Sequence, residues 1–164
     1  MPVFISYRHT DRTKAFDIQR RLERAEIETY LDVLDPESKS TDDITEVITR
    51  NIRHCTHLIA VVSDNTQQSW RVPFEIGEAT MVAKRISTFK NTSGSLPEYL
   101  EKWPVMSRMD HVDFFIRAYR SETMVARNRM LTDSVSTESF SEGGSAHRES
   151  KQFHDSLKRS IRMS

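Results

Sequence analysis

Residues 56–83, THLIAVVSDNTQQSWRVPFEIGEATMVA, decide how the rest of the chain is arranged. The uninterrupted apolar run at 58–62 is typical of a strand covered on both faces, as in the parallel sheet of an α/β protein. A polar loop follows it. Pro73 and Glu75 then suit the first turn of a helix, where proline loses no hydrogen bond and an acid favours the helix dipole. One interpretation of Glu75 is therefore helix-start chemistry.

Shorter apolar segments alternate with helical patterns on both sides of this unit. Strands are predicted at residues 3–6, 27–31, 58–62, 86–89 and 103–106. Between them, apolar residues spaced three and four apart predict amphipathic helices. Because strands and helices alternate, we expect a doubly wound parallel sheet of order 2-1-3-4-5. Its crevice opens beyond the carboxyl ends of strands one and three, where the connections diverge.

Composition excludes several classes of function. The 164 residues suffice for one domain, and a formal net charge of zero gives no field that would favour nucleic acid as a partner. No apolar run approaches the ~20 residues of a membrane span, and no apolar signal segment precedes the first strand. The single cysteine, Cys55, fits a reducing compartment, so we expect a cytoplasmic protein. His54 and His57 beside it lack the separated ligand pairs of structural zinc, and no metal is expected.

The chain changes character after residue 130. Residues 131–150 are rich in Ser, Thr, Glu and Gly, which predicts a flexible connector. Phe153, Leu157 and Ile161 are spaced four apart and predict a short amphipathic helix within 151–164. That helix can dock on its own domain or on a neighbouring copy, and its basic end leaves membrane contact as a lesser alternative. The expected organisation is one domain over 1–130, then the connector, then the helix.

Three classes of protein, two enzymatic and one signalling, lack their signatures in the sequence. The four glycines form neither a Gly-x-Gly-x-x-Gly motif nor a P-loop, so a dehydrogenase or kinase is not expected. A phospho-accepting receiver shares the sheet order and needs paired acids after strands one and three. Asp64 is in range after strand three, but Ser6 and Tyr7 fill the other place, which makes a receiver a weak alternative.

Four motifs in order closely resemble those of TIR domains, particularly the bacterial stand-alone kind. They are VFISYR at 3–8, YLD at 30–32, LIAVVS at 58–63 and SWRVPFEIG at 69–77. SLPEYL at 95–100 and WPV at 103–105 are also similar to that bacterial group. The resemblance covers about residues 1–120. It implies a flavodoxin-like α/β fold, in agreement with the strand order expected above.

The resemblance implies one of two functions for the domain. Some TIR domains cleave NAD between nicotinamide and ribose, whereas others only assemble. The enzymes carry a glutamate where Glu75 stands, so the resemblance implies that Glu75 is catalytic, that NAD is the substrate and that no cofactor is needed. Breaking this bond develops positive charge on the ribose, and a carboxylate beside the sugar stabilises that charge.

By motif position the resemblance also implies weaker contacts with the substrate. These are Tyr7 and Arg8 after the first strand, Asp32 and Glu37 in the second loop, Ser63 after the third strand, and Trp70 or Arg71 before Glu75. Structural interpretations stand beside them. Tyr7 can pack over the sheet end, Arg8 and Asp32 can form an ion pair, and Ser63 can cap the following turn.

The segment before Glu75 departs from the common TIR pattern. A tryptophan usually stands four residues before the glutamate, but here Arg71 occupies that place and Trp70 stands five before. A shift of one residue turns a helical side chain by about 100°. Either the helix starts later, so that Trp70 reaches the site from the loop, or Arg71 contacts the substrate instead.

The resemblance extends to a biological setting. The chain is similar to the TIR component of Thoeris-type antiphage defence, which implies production of a cyclic ADP-ribose signal for a separate effector. Simple hydrolysis to ADP-ribose stays open as the reaction. The alternative from another class is a non-catalytic scaffold that signals by self-association through TIR surfaces. Neither nucleic acid nor a membrane span is expected to take part.

Overall fold

One parallel sheet with helices on both faces forms the domain. The computed structural model describes residues 1–31, 44–132 and 142–164. The strands are β1 Val3–Ser6, β2 Thr29–Leu31, β3 His57–Val62, β4 Arg85–Lys90 and β5 Val105–Met106. The helices are α1 Arg12–Glu23, α2 Ile44–His54, α3 Arg71–Met81, α4 Met109–Thr132 and α5 Glu142–Arg162. The order β2-β1-β3-β4-β5 confirms the predicted doubly wound, flavodoxin-like α/β fold.

The central strand β3 is buried at every position. It pairs in parallel with β1 on one side and β4 on the other, with Leu58 opposite Phe4 and Ile86. Alternate residues of a strand point to opposite faces, so a strand that is apolar throughout needs cover on both. The uninterrupted apolar run therefore identified the middle of the sheet.

Two layers of helices supply that cover. On one face α1, α4 and α5 pack against β1, β3 and β4, and on the other α2 and α3 do so. The first layer buries Ala15, Ile18, Leu22, Val112, Phe115, Ile116, Tyr119, Phe153 and Leu157. The second buries Ile48, Ile52, Val72, Ile76 and Ala79, and Leu100 and Trp103 from the segment between β4 and β5 join the same cluster. Phe153 and Leu157 are the buried positions that the spacing of the last helix predicted.

The last helix is longer than its apolar spacing indicated. α5 begins at Glu142, so it includes residues 142–150, which composition had assigned to the flexible connector. Phe153 and Leu157 are buried in the same core cluster as α1 and α4, with Ile161 packed against it. Tertiary packing of this kind stabilises helices whose own propensity is weak. Residues 133–141 of the expected connector lie outside the described residues.

Two strands are shorter than expected, because local turns occupy their first residues. Ile27 is buried, but its N–H bonds to the carbonyl of Leu22 at 3.0 Å and Glu26 has φ of 60°, so the chain is still closing α1 there. The N–H of Trp103 likewise bonds to the carbonyl of Leu100. β2 therefore begins at Thr29 and β5 at Val105.

Candidate functional site

The candidate site lies at the carboxyl ends of β1 and β3, where the connections run to opposite sides of the sheet. The chain leaves β1 through a short 3-10 turn, His9–Asp11, and leaves β3 through a second, Asp64–Gln68, which leads into α3. β2 is parallel to β1 and also ends at this edge. The predicted site residues that follow it, Asp32 and Glu37, lie outside the described residues.

Tyr7 and Arg8, the predicted substrate contacts after β1, both contact other parts of the protein. Tyr7 is buried in the core cluster beneath α1, as the structural interpretation of this aromatic expected. The guanidinium of Arg8 donates a hydrogen bond to the backbone carbonyl of Asn65, in the turn after β3. Arg8 is half-buried, and its contact ties the first loop to the third.

Ser63 caps the turn that follows β3. Its hydroxyl accepts a hydrogen bond from the N–H of Asn65 at 3.2 Å, and the hydroxyl of Thr66 accepts one from the N–H of Ser63 at 2.9 Å. Reciprocal bonds of this type satisfy donors that a helical start leaves unpaired. The structure thus places Ser63 as a cap and leaves its predicted role as a substrate contact a prediction.

Asp11 is a site residue that sequence reasoning missed. It is only 4% exposed, and each of its carboxylate oxygens accepts one hydrogen bond. Oδ2 is 2.7 Å from the hydroxyl of Ser63, and Oδ1 is 3.0 Å from the side-chain nitrogen of Asn91, directly after β4. The sequence showed Asp11 only as one polar residue of a turn. An acid after the first strand, with a serine after the third, was the available signal.

Trp70 and Arg71, the two candidates for the contact that a tryptophan usually makes, differ in their position relative to the start of α3. α3 begins at Arg71, and Trp70 is the residue just before it. Trp70 is 60% exposed, with its ring centroid 6.1 Å from that of Phe74. Arg71 is half-buried and lies one turn before Glu75, on the same side of the helix. The geometry thus puts Arg71, rather than Trp70, on the Glu75 face.

Glu75 lies in the second turn of α3, and not in the first as the sequence pattern indicated. Because α3 begins at Arg71, Glu75 is too far along the helix to serve as an acid at its start. Its side chain is 0% exposed and belongs to the buried face with Val72, Ile76 and Ala79. Glu75 and Arg71 each interact with other groups of the chain. Burial of a carboxylate is costly, which makes this position unusual for a surface helix.

A cavity of about 300 Å³ opens beside the start of α3. Its wall includes Ser63 and Asp64 after β3, Pro73 of α3, and residues 95–97 after β4. The hydroxyl of Thr92 donates to Asp64 at 2.6 Å and closes one side. A larger cavity of about 450 Å³ lies between α4 and α5, but it borders residues that precede β1 and β3, at the opposite edge of the sheet.

Comparison with known families decides what kind of domain this is. The sequence model of the TIR domain matches residues 3–129. The chain belongs to the TIR domain family. A comparison with curated proteins found no match. The match ends within α4, so α5 lies outside the matched residues.

The TIR domain family includes both NAD-cleaving enzymes and domains that signal by self-association. Membership therefore narrows the function to these classes. In the part of the chain that the structure describes, no helix is long and apolar enough to cross a membrane. The same residues contain no cluster of three or more His, Cys, Asp or Glu arranged to hold a metal ion.

Proposed function

We propose that this TIR domain cleaves NAD at the bond between nicotinamide and ribose, with Glu75 as the catalytic carboxylate. The observation that carries the proposal is the position of Glu75, a fully buried acid in the second turn of α3, just beyond the carboxyl end of β3. Carboxylates are seldom fully buried, and buried ionisable groups are enriched at functional sites. The helix dipole gives no alternative reason for an acid there.

The chemistry needs few protein groups. The carbon–nitrogen bond breaks with both electrons going to nicotinamide, which changes from a cationic ring to a neutral leaving group and needs no strong acid. The ribose becomes electron-poor, and a carboxylate close to it stabilises that charge. Water then adds to the anomeric carbon and releases a proton, giving ADP-ribose. Alternatively, a nitrogen of the substrate's own adenine attacks, giving a cyclic ADP-ribose.

Arg71 and Arg8 are the cations that the proposal assigns to substrate binding. Arg71 shares a helix face with Glu75, and the guanidinium of Arg8 lies at the turn after β3. A guanidinium matches the oxygens of a pyrophosphate with a fork of donors. Tyr7 has a smaller role in the proposal, because its ring is already packed in the core.

Because Glu75 is buried, the proposed reaction also needs a conformational change before NAD can contact it. With no exposed surface, the carboxylate can meet NAD only after the groups around it move. Closed active sites commonly open to admit substrate and then exclude water. A complex with a slowly cleaved NAD analogue should therefore show Glu75 in contact with the ribose. A complex in which the analogue is bound and Glu75 makes no contact with it contradicts this step.

In its biological setting, the proposal follows the resemblance to the Thoeris type of antiphage defence. A viral cue would switch the enzyme on in the cytoplasm, and a cyclic ADP-ribose product would activate a separate effector. Hydrolysis to ADP-ribose would instead deplete NAD directly. Chromatography of the nucleotide products against cyclic and linear standards distinguishes the two reactions.

A scaffold without turnover is the second candidate, and one observation favours it. The outer side of α3 exposes Trp70 and Met81, the latter 82% accessible, which is the type of surface that partner proteins cover. A scaffold also has no need for an accessible acid, and Glu75 is buried. Self-association with no release of nicotinamide under any condition would select this candidate.

The decisive experiment compares three proteins. Wild type, Glu75→Gln and Glu78→Gln are incubated with NAD at high protein concentration with crowding agents, and again with extract from infected cells. Glu78 lies three residues further along α3 and is half-buried, so it controls for loss of an acid from this helix. We expect nicotinamide from wild type and Glu78→Gln, and not from Glu75→Gln. Product from all three removes Glu75 from the mechanism, and product from none in either condition overturns the proposal.

A further inference from the structure

Asp11 joins the ends of three strands. It closes the short turn after β1, and its two oxygens accept from Ser63 after β3 and from Asn91 after β4. It is almost completely buried, so these two hydrogen bonds replace the water that its carboxylate loses. The residue thus connects three loops through one buried side chain.

We call the hydrogen bonds of Asp11 with Ser63 and with Asn91 its Ser63 branch and its Asn91 branch. The Ser63 branch connects Asp11 with the segment that leads into α3. Ser63 caps the turn Asp64–Gln68, the N–H of Ser69 bonds back to the carbonyl of Thr66 at 2.9 Å, and α3 starts two residues later. Only Ser69 and Trp70 lie between this turn and α3, so no long loop separates Ser63 from the helix. The position of the Ser63 hydroxyl is therefore passed on to the first turns of α3, which carry Arg71 and Glu75.

A second contact fixes the same segment. The guanidinium of Arg8 bonds to the carbonyl of Asn65, so the first loop holds the turn after β3 at two points. The Asn91 branch differs, because it ends in the loop after β4. The backbone N–H of Asn91 also bonds to the carbonyl of Val62 at 2.7 Å, and that bond does not depend on the Asn91 side chain. The two branches of Asp11 thus have comparable hydrogen bonds and different destinations in the chain.

We propose that Asp11 is a positioning residue for the Glu75 site, acting through the hydroxyl of Ser63 and the turn that leads into α3. The inference rests on the proposed function, since positioning matters to rate only if Glu75 acts on a substrate. Small displacements of a catalytic group lower the rate much more than they lower affinity for distant parts of the substrate. A residue that only stabilises the fold has no such selective effect.

Three variants separate the two roles in an active enzyme, each assayed well below its unfolding temperature. Asp11→Ala removes both bonds, and we expect kcat to fall by about tenfold to a hundredfold with a much smaller change in KM. Asp11→Asn should recover most of kcat, because one oxygen remains and the Ser63 hydroxyl can reverse to accept from the new amide. Asn91→Ala removes only the side-chain bond between Asp11 and the loop after β4, keeps the backbone bond to Val62, and should keep kcat within about threefold of wild type.

Hydrogen exchange gives a readout that needs no turnover. We expect Asp11→Ala to speed amide exchange in residues 63–75, and Asn91→Ala to leave that segment close to wild type. If wild type releases no nicotinamide, the proposed function fails and exchange alone decides whether Asp11 fixes the segment. Unchanged exchange overturns the inference, as does an active Asp11→Ala enzyme with wild-type kcat. Equal losses of kcat in Asp11→Ala and Asn91→Ala also overturn it.

Discussion

Nε2 of His154 accepts a hydrogen bond from the backbone N–H of Ile86 at 2.9 Å. This N–H points to the β5 side of β4, but β5 is paired only with Thr88 and Phe89. Beside it, the hydroxyl of Ser150 donates to the carbonyl of Lys84 at 3.0 Å. Side chains of α5 thus satisfy the part of the β4 edge that β5 is too short to cover, a protection that sheet edges need.

This acceptor role makes the stability of the domain sensitive to acid. Burial, with a smaller effect from Lys158, lowers the pKa of His154 from 6.5 to about 4, and Asp155 acts in the opposite direction. His57 and Arg85 contribute smaller decreases to the same shift of the pKa. A histidine with a depressed pKa in the folded state favours folding above its unfolded pKa. That contribution is lost as pH falls from about 6.5 through about 4.

We therefore expect His154→Gln to flatten the pH dependence of unfolding. Glutamine keeps an oxygen that can accept from Ile86 and does not titrate, so wild type should lose at most about 3 kcal/mol more than the variant between pH 6.5 and pH 4. Urea unfolding at several pH values measures the difference. His154→Leu is the control without an acceptor, and it should be less stable at pH 7. Parallel pH profiles for wild type and His154→Gln contradict the assignment.

The core role of α5 is tested by a pair of substitutions on the same helix region. Leu157 is 0% exposed, and Met163, next to the helix end, is 88% exposed. Leu157→Ala should lower the free energy of unfolding by about 2–5 kcal/mol, because it removes buried methyl groups and leaves a cavity. Met163→Ala should change it by less than about 0.5 kcal/mol. Equal stability of the two variants would mean that α5 is not part of the folding unit.

The sheet could be predicted because its signals are local. The apolar run of β3 reflects burial on both faces and the regular spacing in α1 reflects burial of one face, and the structure has both elements close to where the pattern indicated. The extent of α5 could not be predicted in this way. Gly143, Gly144 and the serines around them favour a connector, and only packing against α4 and β4 stabilises a helix there.

The candidate site, like the fold, could be predicted from the sequence only in part. Glu75 was found through its motif, but its depth in the structure depends on where α3 begins, and Pro73 indicated a later start than Arg71. Asp11 was missed because its two partners are 52 and 80 residues away in sequence. No periodicity connects residues at such separations, so only the assembled sheet brings them together.

The single cysteine gives a direct probe of opening on the α2 side. Cys55 is buried, and burial raises the pKa of its thiol to about 12. Since the thiolate is the reactive form, we expect the native protein to resist a thiol-specific reagent at pH 8 and to react fully in denaturant. Met163→Cys adds an exposed thiol and should react at once with one equivalent. A wild-type rate equal to that of the new thiol would contradict the burial of Cys55.

The last prediction concerns the contact that replaces the usual tryptophan, and it rests on the proposed NAD cleavage. Arg71 lies on the face of Glu75, whereas Trp70 is mostly exposed and packs against Phe74. Arg71→Ala should raise KM for NAD by about tenfold, as expected for loss of one charge-assisted contact. Trp70→Ala should change KM by less than about twofold, within the range of a surface substitution. Arg71→Lys keeps the charge without the fork of donors, and its KM should fall between those of the two alanine variants.

Thermal unfolding of each variant controls for stability, since Arg71 also has partners within the chain. A larger increase in KM for Trp70→Ala than for Arg71→Ala would show that the exposed ring, and not the guanidinium, contacts the substrate.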